Sequence, residues 1–255
     1  EHFLGKDIIG IAEQKAGIMR PETPCFSARQ TSEVASALQS CADKIGAPLM
    51  IAGRDFEIRA SADGGGTLIT PENRIDFPRP GLAGAHQIDN AGLALMALQA
   101  TRPYTADGIA NARWPGRVQH LDNGALADAW PHRQIWLDGA HNAHGAHALA
   151  NTLSGIHDGK WNVICGALNT RDPAEFLAPI APLAGRVACL TIPDQDASLS
   201  AAEMRDAATA QGLNASAATT LATAFDSLDP ILPVIICGSL YLAGHVLVQN
   251  KTLPD

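Results

Sequence analysis

Two rhythms of apolar residues divide this chain. In residues 6–19, KDIIGIAEQKAGIM, apolar side chains fall at 8, 9, 11, 12, 16, 18 and 19, close to a helical period, and Pro21 and Pro24 mark the stop. PCFSA predicts a short strand, and TSEVASALQSCADKIG an amphipathic helix with Thr31 or Ser32 as N-cap and Gly46 as C-cap. PLMIAG predicts another strand. DFEIRASADGGGTLITPENRIDF reads as antiparallel strands turning at Asp63-Gly64-Gly65-Gly66, and IDNAGLALMALQAT as an Ala/Leu-rich helix buried on most sides.

Near NARWPGRVQ (111–119) the rhythm changes, and Pro115-Gly116 punctuates the chain. Strand-like and helix-like stretches now alternate: QIWLDGA then HNAHGAHALANTL, WNVICGAL then DPAEFLAPIAPLA, VACLTIPD then SAAEMRDAATAQG, ILPVIICGS then LYLAGHVLVQN. Strands that are almost wholly apolar and separated by helices predict a parallel sheet covered on both faces. A domain boundary is expected near residue 113, giving domains 1–112 and 113–255. Two strands end alike, VICG (163–166) and IICG (235–238), and a third ends LDGA. Small residues there let a ligand or a neighbouring backbone approach closely. Ligands of doubly wound sheets bind outside the carboxyl ends of the strands. That rule puts Asp138, His141, Asn142, Asn169, Arg171, Asp172, Asp194 and Ser239 on a binding rim.

Composition narrows the function classes. The 255 residues carry a formal net charge of −8 and no run of Lys or Arg, which argues against a nucleic-acid surface or a polybasic membrane patch. Five scattered cysteines, none in C-x-x-C, read as reduced and cytoplasmic. The most apolar stretch, 231–248, is broken by Pro233, Gly238, Ser239, Gly244 and His245, so a buried strand, a turn and a packed helix explain it better than a membrane span. The opening residues have no signal-peptide pattern and read like the interior of a longer chain.

WLDGAHNAHGAHALA (136–150) invites a metal reading, with His141, His144 and His147 spaced three apart. On a helix, successive members of such a series turn by about 60°, so the outer two diverge by about 120°. The H-E-x-x-H arrangement of helical zinc sites is missing. His144 and His147 therefore read as the flank of a helix, whereas Asp138 and His141 precede it at the rim. DGGGT (63–67) reads as a hairpin turn, because no Lys-Ser or Lys-Thr follows. Nowhere in the chain is there a G-x-x-x-x-G-K-[ST] phosphate loop. Singly, Lys15 reads as a solvated lysine, Arg117 as a phosphate ligand or a linker arginine, Asn90 as a residue near a helix N-terminus and Ser239 as a helix N-cap.

In combination these residues resemble a known set. LGKDIIGIAEQKAGIMRP, GAHQIDNAGLALMAL, WPGRVQ, WLDGAHNAHGAHAL, CGALNTRDP and CGSLYLAGHV occur in the order of the corresponding motifs of the folylpolyglutamate synthase/dihydrofolate synthase family, a branch of the Mur ligases. The resemblance implies an α/β protein: the end of a P-loop ATPase domain of the Mur central type, then a Rossmann-like C-terminal domain with a mostly parallel sheet. It implies an ATP-dependent ligase that adds L-glutamate to dihydropteroate or to the γ-carboxylate of folates through an acyl phosphate. ATP and Mg2+, with a monovalent cation as an option, are the implied cofactors, and a cytoplasmic monomer the implied form. By match, Lys15 would be N-carboxylated and support magnesium, and Asn90 would lie near adenine. Arg117 would meet ATP phosphate, Asp138 would bind nucleotide, His141 would place glutamate or stabilise developing charge, and Ser239 would lie in the glutamate pocket. The family's phosphate loop lies upstream of its lysine motif, and its magnesium-binding histidine would precede Glu1. His2 aligns instead with an acidic position. The resemblance thus implies that residues 1–255 alone neither hydrolyse ATP nor ligate glutamate. Two positions depart from the pattern: Gln14 stands for a usual glutamate, and Arg171 for a usual lysine. Another Mur-type ligase, or an α/β binding domain without catalysis, are the competing readings.

Overall fold

The computed structural model describes residues 7–100 and 105–252. Leu4 and Gly5 of the first motif, and His2, lie outside them. The chain divides into two units, Glu1–Arg113 and Trp114–Asp255.

In the first unit α1 (Ile8–Ala16) starts where the Asp7 carboxylate accepts the N–H groups of Ile9 and Gly10, at 3.1 Å each. Its Ala12 and Ala16, with Met19 just beyond its end, pack against Val34, Leu38 and Ala42 of α2 (Ser32–Ile45). Thr31 caps α2 and Gly46, at φ 75°, closes it, as the turn chemistry predicts. A parallel pair, β1 (Cys25–Ser27) and β2 (Leu49–Ile51), completes this cluster. The predicted antiparallel region forms a meander of β3 (Glu57–Ala60), β4 (Gly66–Ile69) and β5 (Arg74–Phe77). On it lies α3 (His86–Gln99), starting two residues before the stretch the pattern marks. It buries Gln87, Ala91, Gly92, Leu95 and Met96 and leaves Asp89 and Asn90 exposed, so it is buried on one side only. A short α4 (Asp107–Asn111) follows.

The second unit is a six-stranded sheet in the order β10-β9-β8-β11-β7-β6. Its strands are β6 (Gln119–His120), β7 (Ile135–Leu137), β8 (Trp161–Cys165), β9 (Ala184–Leu190), β10 (Asn214–Ala218) and β11 (Val234–Cys237). All neighbours run parallel except β6, an antiparallel edge strand on β7. The four predicted strand–helix pairs are present, with helices α6 (Ala143–Ile156), α7 (Pro173–Ile180), α8 (Ala201–Ala210) and α10 (Leu240–Asn250). A fifth pair, β10 with α9 (Leu221–Ser227), and a short α5 (Ala125–Ala129) were not foreseen. NASAA is small and half-exposed on the sheet edge, so neither β propensity nor alternation announces it.

The central strands are buried throughout, β8 as five consecutive buried residues and β11 as four. Ile164 and Ile236 pack with α9 and α10 on one face, while α6, α7 and α8 pack with one another on the other. Neighbouring strands β8 and β11 thus lead into helices on opposite faces, α7 and α10. That divergence opens a crevice at their carboxyl ends.

Candidate functional site

The crevice is built by backbone contacts that only glycine permits. Gly238 sits at φ 109°, and a Cβ there would lie 2.6 Å from the carbonyl oxygen of Gly166 at the end of β8. The paired CG endings of β8 and β11 therefore serve a close approach between two backbone segments, one of the two readings the sequence offers. Beyond them a cavity of about 240 Å³ opens. His141, Thr170, Arg171, Asp172, Ser239 and Tyr241 line its polar side, and Leu168, Phe176 and Leu240 its apolar side.

Three helix N-termini start around this crevice. Asn142 caps α6 by accepting the Gly145 N–H at 2.8 Å, Asp172 caps α7 through Ala174 at 2.9 Å, and Ser239 caps α10 through Tyr241 at 3.1 Å. The first turns of α7 and α10 border the cavity itself. The free N–H groups at the start of α10 favour an anion, whereas α7 opens on Pro173, which has no N–H, and already holds the Asp172 carboxylate at that end. Arg171 is half-buried in the cavity wall, and no hydrogen bond or ion pair joins it to another described residue. A guanidinium held this way is suited to a carboxylate brought by a ligand.

Asp138 directly follows β7 and is buried, with 6% of its surface exposed. Its Oδ1 accepts the Ala140 N–H at 2.7 Å and its Oδ2 the Val118 N–H at 2.9 Å. The carboxylate thereby clamps the loop that carries Arg117. Val118 is held at φ 44°, an outlying conformation for a β-branched residue, and Gly116 at φ 66°. The Gly116 carbonyl accepts the Gly139 N–H at 2.8 Å, a second tie to the same loop. Arg117 itself is exposed. Below the rim, burial pushes the Cys237 thiol well above its usual range, and Asp138 adds to the shift. His141 Nδ1 lies 2.8 Å from the carbonyl oxygen of Gly139.

Of the residues singled out from sequence, His141 and Ser239 share the cavity, and Asp138 and Arg117 share the adjoining clamp. Lys15 and Asn90 belong to the first unit. Lys15 is exposed on the last turn of α1. Asn90 donates to Gln87 Oε1 at 3.0 Å, and Gln87 Nε2 lies 2.9 Å from His86 Nε2. Among the rim residues, Asn142 and Asp172 act as caps, Asn169 is bound through its backbone to Ala197, and Asp194 takes φ 56° in the turn after β9. His144 and His147 are exposed on α6. Among the described residues no three His, Cys, Asp or Glu side chains are grouped to hold a metal ion. Leu168, Phe176 and Tyr241 escaped the sequence reading, because an apolar residue in a strand–helix loop or a first helical turn looks like core.

Residues 116–240 match the family described as Mur ligase, glutamate ligase domain. The second unit is therefore a Mur ligase C-terminal domain with an α/β fold and a mostly parallel sheet. The folylpolyglutamate synthase of Lacticaseibacillus casei is 27% identical over 96% of this chain and 58% of its own length. The dihydrofolate synthase/folylpolyglutamate synthase of Mycobacterium tuberculosis is 30% identical over 71% of this chain and 40% of its own. In structure, the M. tuberculosis folylpolyglutamate synthase complexed with ADP and AMPPCP covers 99% of this chain at 27% identity and a TM-score of 0.80, over 62% of its own length. The Yersinia pestis bifunctional folylpolyglutamate synthase/dihydrofolate synthase complexed with AMPPNP and Mn covers 96% at 25% identity and a TM-score of 0.79, over 57% of its own length. The chain is thus a relative of the folylpolyglutamate synthase/dihydrofolate synthase family, and it spans 40–58% of the length of these two curated relatives.

Proposed function

We propose that this chain serves an ATP-dependent amide ligase that adds L-glutamate to dihydropteroate, to the γ-carboxylate of folates, or to both. The observation that carries the reading is the cavity at the ends of β8 and β11. An unpaired guanidinium, the N-terminus of α10 and an imidazole converge there on a space suited to a small dicarboxylic amino acid. Arg171 holds a glutamate carboxylate, the α10 N-terminus at Ser239 takes the other, and His141 faces the amine. Arg117, presented by the Asp138 clamp, meets ATP phosphate, and Asn90 lies towards adenine. Lys15, if N-carboxylated, exchanges a cation for oxygen donors and so supports Mg2+. When bound, the nucleotide and metal supply the phosphoryl group that activates the acid and the charge that stabilises it. Residues 1–255 fit part of that task, since they contain Arg117 but no phosphate-loop motif. The scattered cysteines favour a cytoplasmic setting, and no described helix is long and apolar enough to cross a membrane. We assign the protein as a monomer acting on small molecules.

The reading is tested with the complete gene product. It is expected to incorporate labelled L-glutamate in an ATP-dependent way, with dihydropteroate or a tetrahydrofolate as acceptor. Residues 1–255 alone are expected to show neither ATP hydrolysis nor ligation. Ligation by residues 1–255, or a complete product inert with both acceptors, contradicts the proposal.

A further inference from the structure

His141 stands at the mouth of the cavity in a defined tautomer. A carbonyl oxygen can only accept, so the contact of Nδ1 with Gly139 O at 2.8 Å fixes the ring proton on Nδ1. In the neutral ring Nε2 then carries a lone pair, and no described side chain or backbone group occupies it. The other ionisable groups facing this space are placed differently. Arg171 is a permanent cation, and Tyr241 is a phenol. Asp172 has Oδ1 engaged as the cap of α7. Asp138 has each carboxylate oxygen engaged by a backbone N–H. His144 is exposed on α6 and Arg117 on its own loop, and Cys237 is buried beneath the rim.

We propose that His141 Nε2 is the proton acceptor for the incoming amine. This rests on reading the cavity as the glutamate site. An amino acid arrives as an ammonium ion, which has no lone pair to attack with. Transfer of one ammonium proton to Nε2 leaves a free amine and an imidazolium. The nitrogen lone pair forms the C–N bond at the acyl phosphate carbon, and the C–O bond to phosphate breaks. The second proton lost from nitrogen leaves on the departing phosphate. The Gly139 carbonyl keeps the acceptor atom pointed at the amine and supports the positive ring.

The test uses ring-labelled histidine NMR and calorimetry on residues 1–255, with L-glutamate and with glutarate, the same diacid without the amine. The neutral His141 ring is expected as the Nδ1–H tautomer, with Nε2 shifting on addition of L-glutamate. With the His141 ring protonated, as followed by its own label, L-glutamate affinity is expected to be about tenfold lower than with the ring neutral, while glutarate affinity is not lower. His141→Gln keeps an acceptor but cannot bind the proton, so it should bind L-glutamate without that pH dependence. An Nε2–H tautomer, or equal pH responses for the two ligands, overturns the proposal and leaves the glutamate reading standing. Failure of both ligands to bind overturns both.

Discussion

At the scale of the residue, the Asp138 carboxylate ties two stretches of the second unit together. Its Oδ1 takes the Ala140 N–H two residues on, and its Oδ2 takes the Val118 N–H from a loop twenty residues earlier. No local pattern reports such a contact. Replacing one oxygen by an amide sets a donor against the N–H of Val118 or Ala140. Asp138→Asn is therefore expected to destabilise the second unit by about 2–3 kcal/mol, read from denaturant unfolding. A variant as stable as the parent sequence would show that the clamp contributes little. Asp55 offers a pH-dependent case in the first unit. The hydrogen bond from Arg54, helped by the Ile51 N–H, holds its carboxyl below the usual carboxylate range. A lowered folded pKa gives stability that is complete above the unfolded value and is lost as pH falls through the folded one. Asp55→Asn should then unfold earlier than the unsubstituted chain at neutral pH, with the gap closing in acid. A gap that persists unchanged at about pH 2 would contradict this assignment.

Among elements, legibility follows burial. β8 and β11 are apolar at every position because both faces are covered, and they stood out in the sequence for that reason. β10 and β6 are edge strands, one made of Asn, Ala and Ser and the other of two residues, and neither carries such a signal. The cap residues Thr31, Gly46 and Ser239 were readable because each satisfies helix ends through its own side chain or a left-handed backbone. The Gly238 position ties element to site. Gly238→Ala places a methyl against the Gly166 carbonyl in a conformation L residues avoid, so a cost above about 2 kcal/mol is expected together with loss of ligand binding. A fully stable Gly238→Ala protein with an intact cavity would disprove that the close approach of β8 and β11 shapes the site.

For the molecule as a whole, pattern and chemistry were legible to different depths. The alternation of strands and helices after residue 113 led to the parallel sheet without outside help, and the strand-end rule placed the rim. The assignment of glutamate and ATP chemistry came from six ordered motifs, since Lys15, Arg117 or Ser239 alone could be ordinary surface or capping residues. What the fold adds is the convergence of His141, Arg171 and Ser239 on one cavity, in a chain whose net charge of −8 gives no hint of an anion site. The most direct test is calorimetric titration of residues 1–255 with L-glutamate, comparing the unsubstituted chain with Arg171→Ala. Saturable binding at one site, weakened about tenfold or more by the substitution, is the result expected from losing a charge-assisted contact. No binding, or binding indifferent to Arg171, would contradict the glutamate-site assignment.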